Sequence, residues 1–296
     1  MKLQGAFTAL VTPFDAALNV DDAALDRLVD AQLAAGIAGL VPCGTTGESP
    51  TLDDDEHLGV IKKVVKRVAG RVPVIAGTGS NSTREAIHMS KRAIELGADG
   101  VMIVMPYYNK PTQAGLVEHC RMVAAAVSKA PVVLYNVPGR TGCDLLPEAV
   151  EAICKASPNV VAIKEATGNV LRAQELVRRL GERLTVLSGD DAVTLGMIAC
   201  GARGVISVTS NLLPREVQQV CDLALAGKHD EARRAHLALL PVHDVMFLEA
   251  NPGPVKSALA DLGLLQPHVR PPLAFPAEQA RAKIREVVAA RAKVAA

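Results

Sequence analysis

Val160-Val161-Ala162-Ile163-Lys164 is a run of four apolar residues closed by a single charge. Such a run reads as a parallel strand buried on both faces, with the lysine falling where that strand should end. Similar short, β-rich runs recur along the chain, so that strand candidates lie at 5–13, 39–44, 72–79, 100–106, 131–138, 160–167, 184–190 and 204–211. Amphipathic helical patterns separate them. One begins at Asp21 with the apolar stripe Leu25, Leu28, Val29 and Leu33 and stops at Gly36. Another begins at Asp53, with Leu58, Ile61, Val65 and Val68 on one face and Gly70 behind it. Pro147 and Pro214 suit first helical turns, and Gly97-Ala98-Asp99-Gly100 is a helix stop leading directly into a strand. Eight strand–helix units predict an α/β protein, a (β/α)8 TIM barrel, because eight parallel strands can close and so remove their edges. The alternative, an open doubly wound sheet, usually carries a glycine fingerprint after its first strand. None is there, and Gly77-Thr78-Gly79 lacks the third glycine.

The strand signal stops near residue 226. Helical patterns follow at about 228–247, 252–263 and 276–292, punctuated by Pro241, Pro252, Pro254 and Pro271-Pro272. The expected organisation is a barrel over 1–225 and a C-terminal helical region over 226–296 that shapes the mouth or a subunit contact.

Of the 296 residues, 49% are hydrophobic but only 2% aromatic, with no Trp, so the core must be aliphatic. Lys and Arg number 32 against 31 Asp and Glu, a formal charge of +1. No basic stripe points to nucleic acid and no single-sign block to a membrane surface. The start, Met1-Lys2-Leu3-Gln4-Gly5, has no apolar leader, and a cytoplasmic location is expected. Six scattered cysteines without a C-x-x-C pair read as small reduced hydrophobes.

Reactive groups of such barrels sit at the carboxyl ends of the strands. An amine stripped of solvent inside an apolar barrel holds its proton less tightly and becomes a nucleophile for carbonyl carbons. A solvated loop lysine is the plain alternative for Lys164. Alternation places Val160, Ala162 and Lys164 on one face and Val161 and Ile163 on the other, with small Ala162 leaving room. On the neighbouring strand Tyr135 shares a face with Val133 and Val137 and can meet Lys164, a phenol placed to move protons for an amine. All three tyrosines, Tyr107, Tyr108 and Tyr135, fall at strand ends. Gly44-Thr45-Thr46-Gly47-Glu48-Ser49 offers backbone N–H groups and hydroxyls to a carboxylate, and Arg140 offers a second anion site.

No metal or other cofactor is expected. His229, His236 and His243 recur every seven residues, not at the three- or four-residue spacing of helical ligands, and Pro241 interrupts them. They read as surface or packing histidines. Asp53-Asp54-Asp55-Glu56 complements a helix start. Ser207-Val208-Thr209-Ser210-Asn211 lacks the glycines of a phosphate loop, which disfavours a phosphorylated substrate.

Gly44-Thr45-Thr46-Gly47-Glu48, Tyr107-Tyr108-Asn109, Tyr135-Asn136-Val137-Pro138-Gly139-Arg140-Thr141-Gly142, Ile163-Lys164-Glu165, Ser188-Gly189-Asp190-Asp191 and Asn251-Pro252-Gly253-Pro254-Val255-Lys256 together resemble the dihydrodipicolinate synthase family. That family belongs to the pyruvate-dependent class I aldolases that include N-acetylneuraminate lyase. The resemblance implies a metal-independent condensation of pyruvate with L-aspartate 4-semialdehyde through an imine on Lys164, the first committed step of lysine and diaminopimelate synthesis. It implies Tyr135 as proton shuttle, linked through Thr45 to Tyr108 of a neighbouring subunit. Thr46, with the Ile206 region and Gly189, would form the substrate pocket, and Arg140 would take the semialdehyde carboxylate. It further implies a homotetramer, a dimer of dimers, and an L-lysine effector site at Ser49, His57, Asn81, Glu85 and Tyr107. Pro50 and Asp54 depart from the pattern of lysine-inhibited members, so weak-to-moderate inhibition is expected. A related aldolase such as N-acetylneuraminate lyase is the alternative, and Arg140 discriminates, since a polyhydroxylated partner calls for smaller residues there. A non-catalytic barrel that senses keto acids or lysine is a third reading, opposed by the complete reactive set.

Overall fold

Each of the apolar runs forms a strand in the computed structural model, which describes residues 3–295; Met1, Lys2 and Ala296, at the ends of the two expected regions, lie outside the described residues. The strands are β1 (Gly5–Ala9), β2 (Gly39–Val41), β3 (Ile75–Gly77), β4 (Gly100–Val104), β5 (Val132–Asn136), β6 (Val160–Glu165), β7 (Thr185–Ser188) and β8 (Gly204–Ser207). All neighbours pair in parallel in the order β2-β1-β8-β7-β6-β5-β4-β3. A bridge between Leu40 and Val74 closes the ring, joined by Leu40 N–H to Pro73 O at 3.0 Å and Gly77 N–H to Pro42 O at 2.9 Å. The sheet is therefore a barrel with helices outside it, as expected.

The observed strands are shorter than the apolar runs. Leu10, Val11 and Met105 lie just past their strands yet are buried, because the loops at the mouth are themselves packed. Hydrophobicity alone does not separate a ladder residue from a buried loop residue.

Two apolar layers result. Phe7, Val41, Met102, Val133, Ala162 and Leu187 fill the barrel, while Leu25, Ile61, Leu116, Ile153 and Leu176 join helices to its outside. One expectation fails here. The β5–β6 register slips between Val132 and Val133, so that Val132 faces Val160 but Val133 faces Ala162. Val161 is the extra residue. A bulge puts two successive side chains on one face, and accordingly Val161 packs against the inner layer while Val160 joins Ile163 in the outer one. Strict alternation resumes at Ala162, which leaves the placing of Lys164 unchanged.

The helix starts are chemically encoded. Asp21 caps Asp22–Ala35 by accepting from Ala24 N–H, and Gly36 ends it at φ 79°. Asp53 and Glu56 form a reciprocal capping box on Asp54–Val68. The stripe of that helix is rotated from the expected one: His57, Val60, Ile61, Val64 and Val68 are buried, and Leu58 and Val65 stand half out. In the first helix Gln32 is buried instead of Leu33, donating to Ser210 O at 2.8 Å and accepting from Thr8 Oγ1 at 2.6 Å. Both errors come from treating a polar residue with internal partners as a surface residue.

Three helices complete the chain, His229–Val245, Gly253–Asp261 and Glu278–Ala295. The first runs through Pro241 without stopping, contrary to the expected interruption. His236 and His243 are packed and His229 is exposed. Among the described residues no helix is long and apolar enough to cross a membrane, and all six cysteines are free thiols.

Candidate active site

Lys164 sits one residue from the end of β6 and pairs in register with Tyr135 of β5. Both side chains are 4% exposed, and the lysine Nζ lies 4.2 Å from the centroid of the tyrosine ring. The lysine is thus directed into the barrel mouth, not solvated on a loop. Gly189, just past β7, makes space for it. A Cβ there would fall 2.5 Å from Ala166 Cβ and 3.1 Å from Lys164 Cε. Glu165, next in sequence, turns away: its carboxylate accepts from Thr167 N–H at 2.8 Å and Asn136 Nδ2 at 3.2 Å. Burial holds Glu165 above the usual carboxylate range, and its partners are not the amine.

The threonine loop is held at both ends by residues in left-handed backbone, Cys43 and Glu48, each at φ 55°. Non-glycine residues rarely adopt this region, and such strain collects at functional sites. Inside the turn Gly47 N–H bonds Gly44 O at 3.0 Å and Glu48 N–H bonds Thr45 O at 3.1 Å. None of these internal bonds uses the N–H of Thr45 or Thr46. Two donors and two hydroxyls are therefore presented together.

Thr45, Thr46, Tyr135, Lys164 and Gly189 line one cavity of about 650 Å³, with Arg140 at its exposed rim. The size suits a small molecule. Arg140 stands on the short helix Pro138–Thr141, where Gly142 at φ 74° turns the chain. Asp190 also lines the cavity, its carboxyl raised above the usual range by burial. The sequence marked Asp190 only within Ser188-Gly189-Asp190-Asp191, with no role of its own; His243, expected at the surface or in packing, and Asp244 and Phe247, for which nothing was expected, reach the same cavity from the C-terminal region. Only Asn251 carried a signal there, within Asn251-Pro252-Gly253-Pro254.

Ile206 of β8 belongs to the inner apolar layer and does not line the cavity. Tyr108 is 89% exposed, in left-handed backbone at φ 73°, and does not reach the cavity of its own chain. After β8, the N–H groups of Val208 and Thr209 both donate to Asp191 Oδ2, at 2.9 and 3.1 Å. Barrels often bind phosphate at this place; here the donors are already engaged by a carboxylate.

A second cavity of about 550 Å³ is lined by Ser49, Pro50, Asp54, His57, Glu85 and Tyr107. Thr45, Val137 and Arg140 line both cavities, so the two adjoin. Asn81 does not line the second cavity; its carbonyl accepts from Asn109 Nδ2 at 3.0 Å. His57 Nε2–H donates to Gly77 O at 2.7 Å, and burial lowers its pKa, favouring the neutral ring with a lone pair on Nδ1.

A closed barrel with a buried lysine, a tyrosine and a threonine loop at the carboxyl ends of its strands has the architecture of a class I aldolase, an enzyme of the lyase class. The model of the Dihydrodipicolinate synthetase (DHDPS) family matches residues 2–291, and the chain belongs to that family. A 4-hydroxy-tetrahydrodipicolinate synthase of Sorangium cellulosum (strain So ce56) is 60% identical over 289 residues, 97% of this chain and 96% of that one. Among solved structures, the chloride-inhibited dihydrodipicolinate synthase of Acinetobacter baumannii, complexed with pyruvate, superposes with a TM-score of 0.96. It is 42% identical, covering 98% of this chain and 99% of that one. The DHDPS of Cyanidioschyzon merolae, solved with lysine bound, gives a TM-score of 0.94 at 38% identity, covering 98% of each chain.

Proposed function

We propose that the protein is a 4-hydroxy-tetrahydrodipicolinate synthase that condenses pyruvate with L-aspartate 4-semialdehyde, the first committed step of lysine and diaminopimelate synthesis, in the cytoplasm. The observation that carries this is the in-register meeting of Lys164 and Tyr135, with Nζ 4.2 Å from the ring centroid, in a cavity shared with Thr45 and Thr46. The unprotonated Nζ attacks C2 of pyruvate, and the carbinolamine expels water to form an imine. Loss of a C3 proton gives an enamine, whose C3 attacks the aldehyde carbon of the semialdehyde while the new alkoxide takes up a proton. The amino group of the adduct then attacks the imine carbon, closing the ring and expelling Nζ. Tyr135 relays the protons, with Thr45 leading outward to Tyr108 of a neighbouring subunit. Thr46 and the loop N–H groups hold the pyruvate carboxylate, Gly189 and Ile206 shape its surroundings, and Arg140 grips the semialdehyde carboxylate as a bidentate donor.

The exposure of Tyr108 outside its own site supports a site completed by a neighbouring subunit, and membership of the family supports a homotetramer built as a dimer of dimers. Residues 1–225 serve as the catalytic barrel and 226–296 as a helical region closing its mouth. The second cavity is assigned to L-lysine, with Ser49, His57, Glu85 and Tyr107 on its walls and Asn81 beside it. The test is a coupled assay with pyruvate and aspartate semialdehyde, run beside one with N-acetylneuraminate. Turnover of the first pair alone is expected; cleavage of N-acetylneuraminate in its place would assign the chain to the alternative.

A further inference from the structure

The C-terminal region holds the threonine loop at two points. Asn251 is 5% exposed, lines the larger cavity, and donates through Nδ2 to Thr46 Oγ1 at 3.0 Å. Lys256, on the helix Gly253–Asp261, donates Nζ to Glu48 Oε1 at 2.6 Å, with both side chains fully buried. The backbone N–H of Arg270 takes the other carboxylate oxygen of Glu48 at 2.9 Å. Phe14 lies beneath both cations, 4.2 Å from Lys256 Nζ and 4.5 Å from the Arg270 guanidinium carbon. Glu48 is the residue whose left-handed backbone closes the loop. The ion pair thus anchors one end of the loop to the segment that also carries Asn251.

A threonine hydroxyl has one hydrogen to give. Once Thr46 Oγ1 accepts the amide N–H of Asn251, that hydrogen is free to be donated into the cavity. The Oδ1 of Asn251 is buried without a partner. Buried unsatisfied polar atoms are rare and call for a reason; keeping the amide's donor side turned toward Thr46 supplies one.

We propose that Asn251, anchored through the Glu48–Lys256 pair, is a positioning residue that makes Thr46 a hydrogen-bond donor to the substrate carboxylate. This rests on the reading that the cavity takes pyruvate. The C-terminal region then forms part of the substrate site.

The test titrates pyruvate in the presence of borohydride and reads the trapped adduct by intact mass, for wild type, Asn251→Ala, Asn251→Asp, Thr46→Val and Thr46→Val/Asn251→Ala. Losing the contact that orients the Thr46 hydroxyl should weaken its charge-assisted hydrogen bond and raise the half-saturating pyruvate concentration about tenfold in Asn251→Ala, with the same final level of adduct. Asn251→Asp, although nearly isosteric, should raise it further, because a carboxylate accepts the Thr46 hydrogen instead of donating. In the Thr46→Val background the Asn251→Ala change should add nothing. A purely structural role gives the opposite order, with Asn251→Asp closer to wild type than Asn251→Ala, or effects that multiply in the double variant; either result overturns the proposal. Should Asn251→Ala fail to fold, an unchanged half-saturation in Asn251→Asp overturns it alone. A wild-type protein that traps no pyruvate contradicts the reaction reading as well, and that result separates the two.

Discussion

Arg140 and Gly189 both line the cavity, Arg140 as an exposed side chain and Gly189 against the lysine stem. Arg140→Ala should raise KM for the semialdehyde roughly 10- to 100-fold, the worth of a hydrogen bond to a charged group, while pyruvate capture stays near wild type. Equal damage to both substrates in steady-state assays would contradict its role. Gly189→Ala places a methyl against Ala166 and Lys164 Cε, and overpacking of this kind costs about 1–3 kcal/mol. A lowered thermal midpoint together with slowed imine formation is expected; an unaffected rate of trapping would show that the stem has room. Lys164 and Tyr135 were legible in the sequence because a lone charge or phenol in an apolar strand has few other places to go. The places of His243 and Asp244 were not, since each is polar in an ordinary helix and only the folded chain brings them to the mouth.

At the scale of elements, the threonine loop and the C-terminal segment are one device. Burial pushes the Lys256 amine down to about 8, against the pull of the Glu48 carboxylate 2.6 Å away. Removing one member of a buried pair strands the other charge, at about 3–5 kcal/mol. Lys256→Met should therefore lower unfolding stability by about that much, and adding Glu48→Gln should recover part of it. Denaturant melts showing the double variant worse than the single would refute the pair's role. The helix Asp54–Val68 and strand β6 show where pattern reading stops. His57 counted as polar and so misplaced the helix stripe, and the Val161 bulge broke the alternation that locates side chains along a strand. The element boundaries at Asp21, Asp53, Pro147 and Pro214 were readable because caps and first-turn prolines are local chemistry.

For the whole molecule, eight continuous apolar runs sufficed to foresee the barrel, because parallel strands buried on both faces have no polar side to disguise them. Assembly is less visible to a single chain, yet Tyr108 makes it testable. If each site borrows this tyrosine from a neighbour, Tyr108→Phe and Lys164→Ala variants, each impaired alone, should regain activity when unfolded together and refolded as hybrids. No recovery in hybrids verified by mass would place Tyr108 outside the mechanism. Stability should also respond to pH through His236, whose Nε2–H donates to Ala192 O at 3.0 Å and whose pKa is lowered from 6.5 chiefly by burial, then by His243. Just below pH 6.5 the unfolded chain binds a proton that the folded chain resists, so this residue's contribution is present above that pH and falls as pH drops. Wild type should lose more stability than His236→Gln between pH 7 and 5.5, and identical slopes would exclude the effect. The most direct test of the account is the bond at its centre. With pyruvate and borohydride, peptide mass spectrometry should find one reduced pyruvyl adduct, on Lys164. An adduct on another lysine, or turnover that persists in Lys164→Ala, would contradict it.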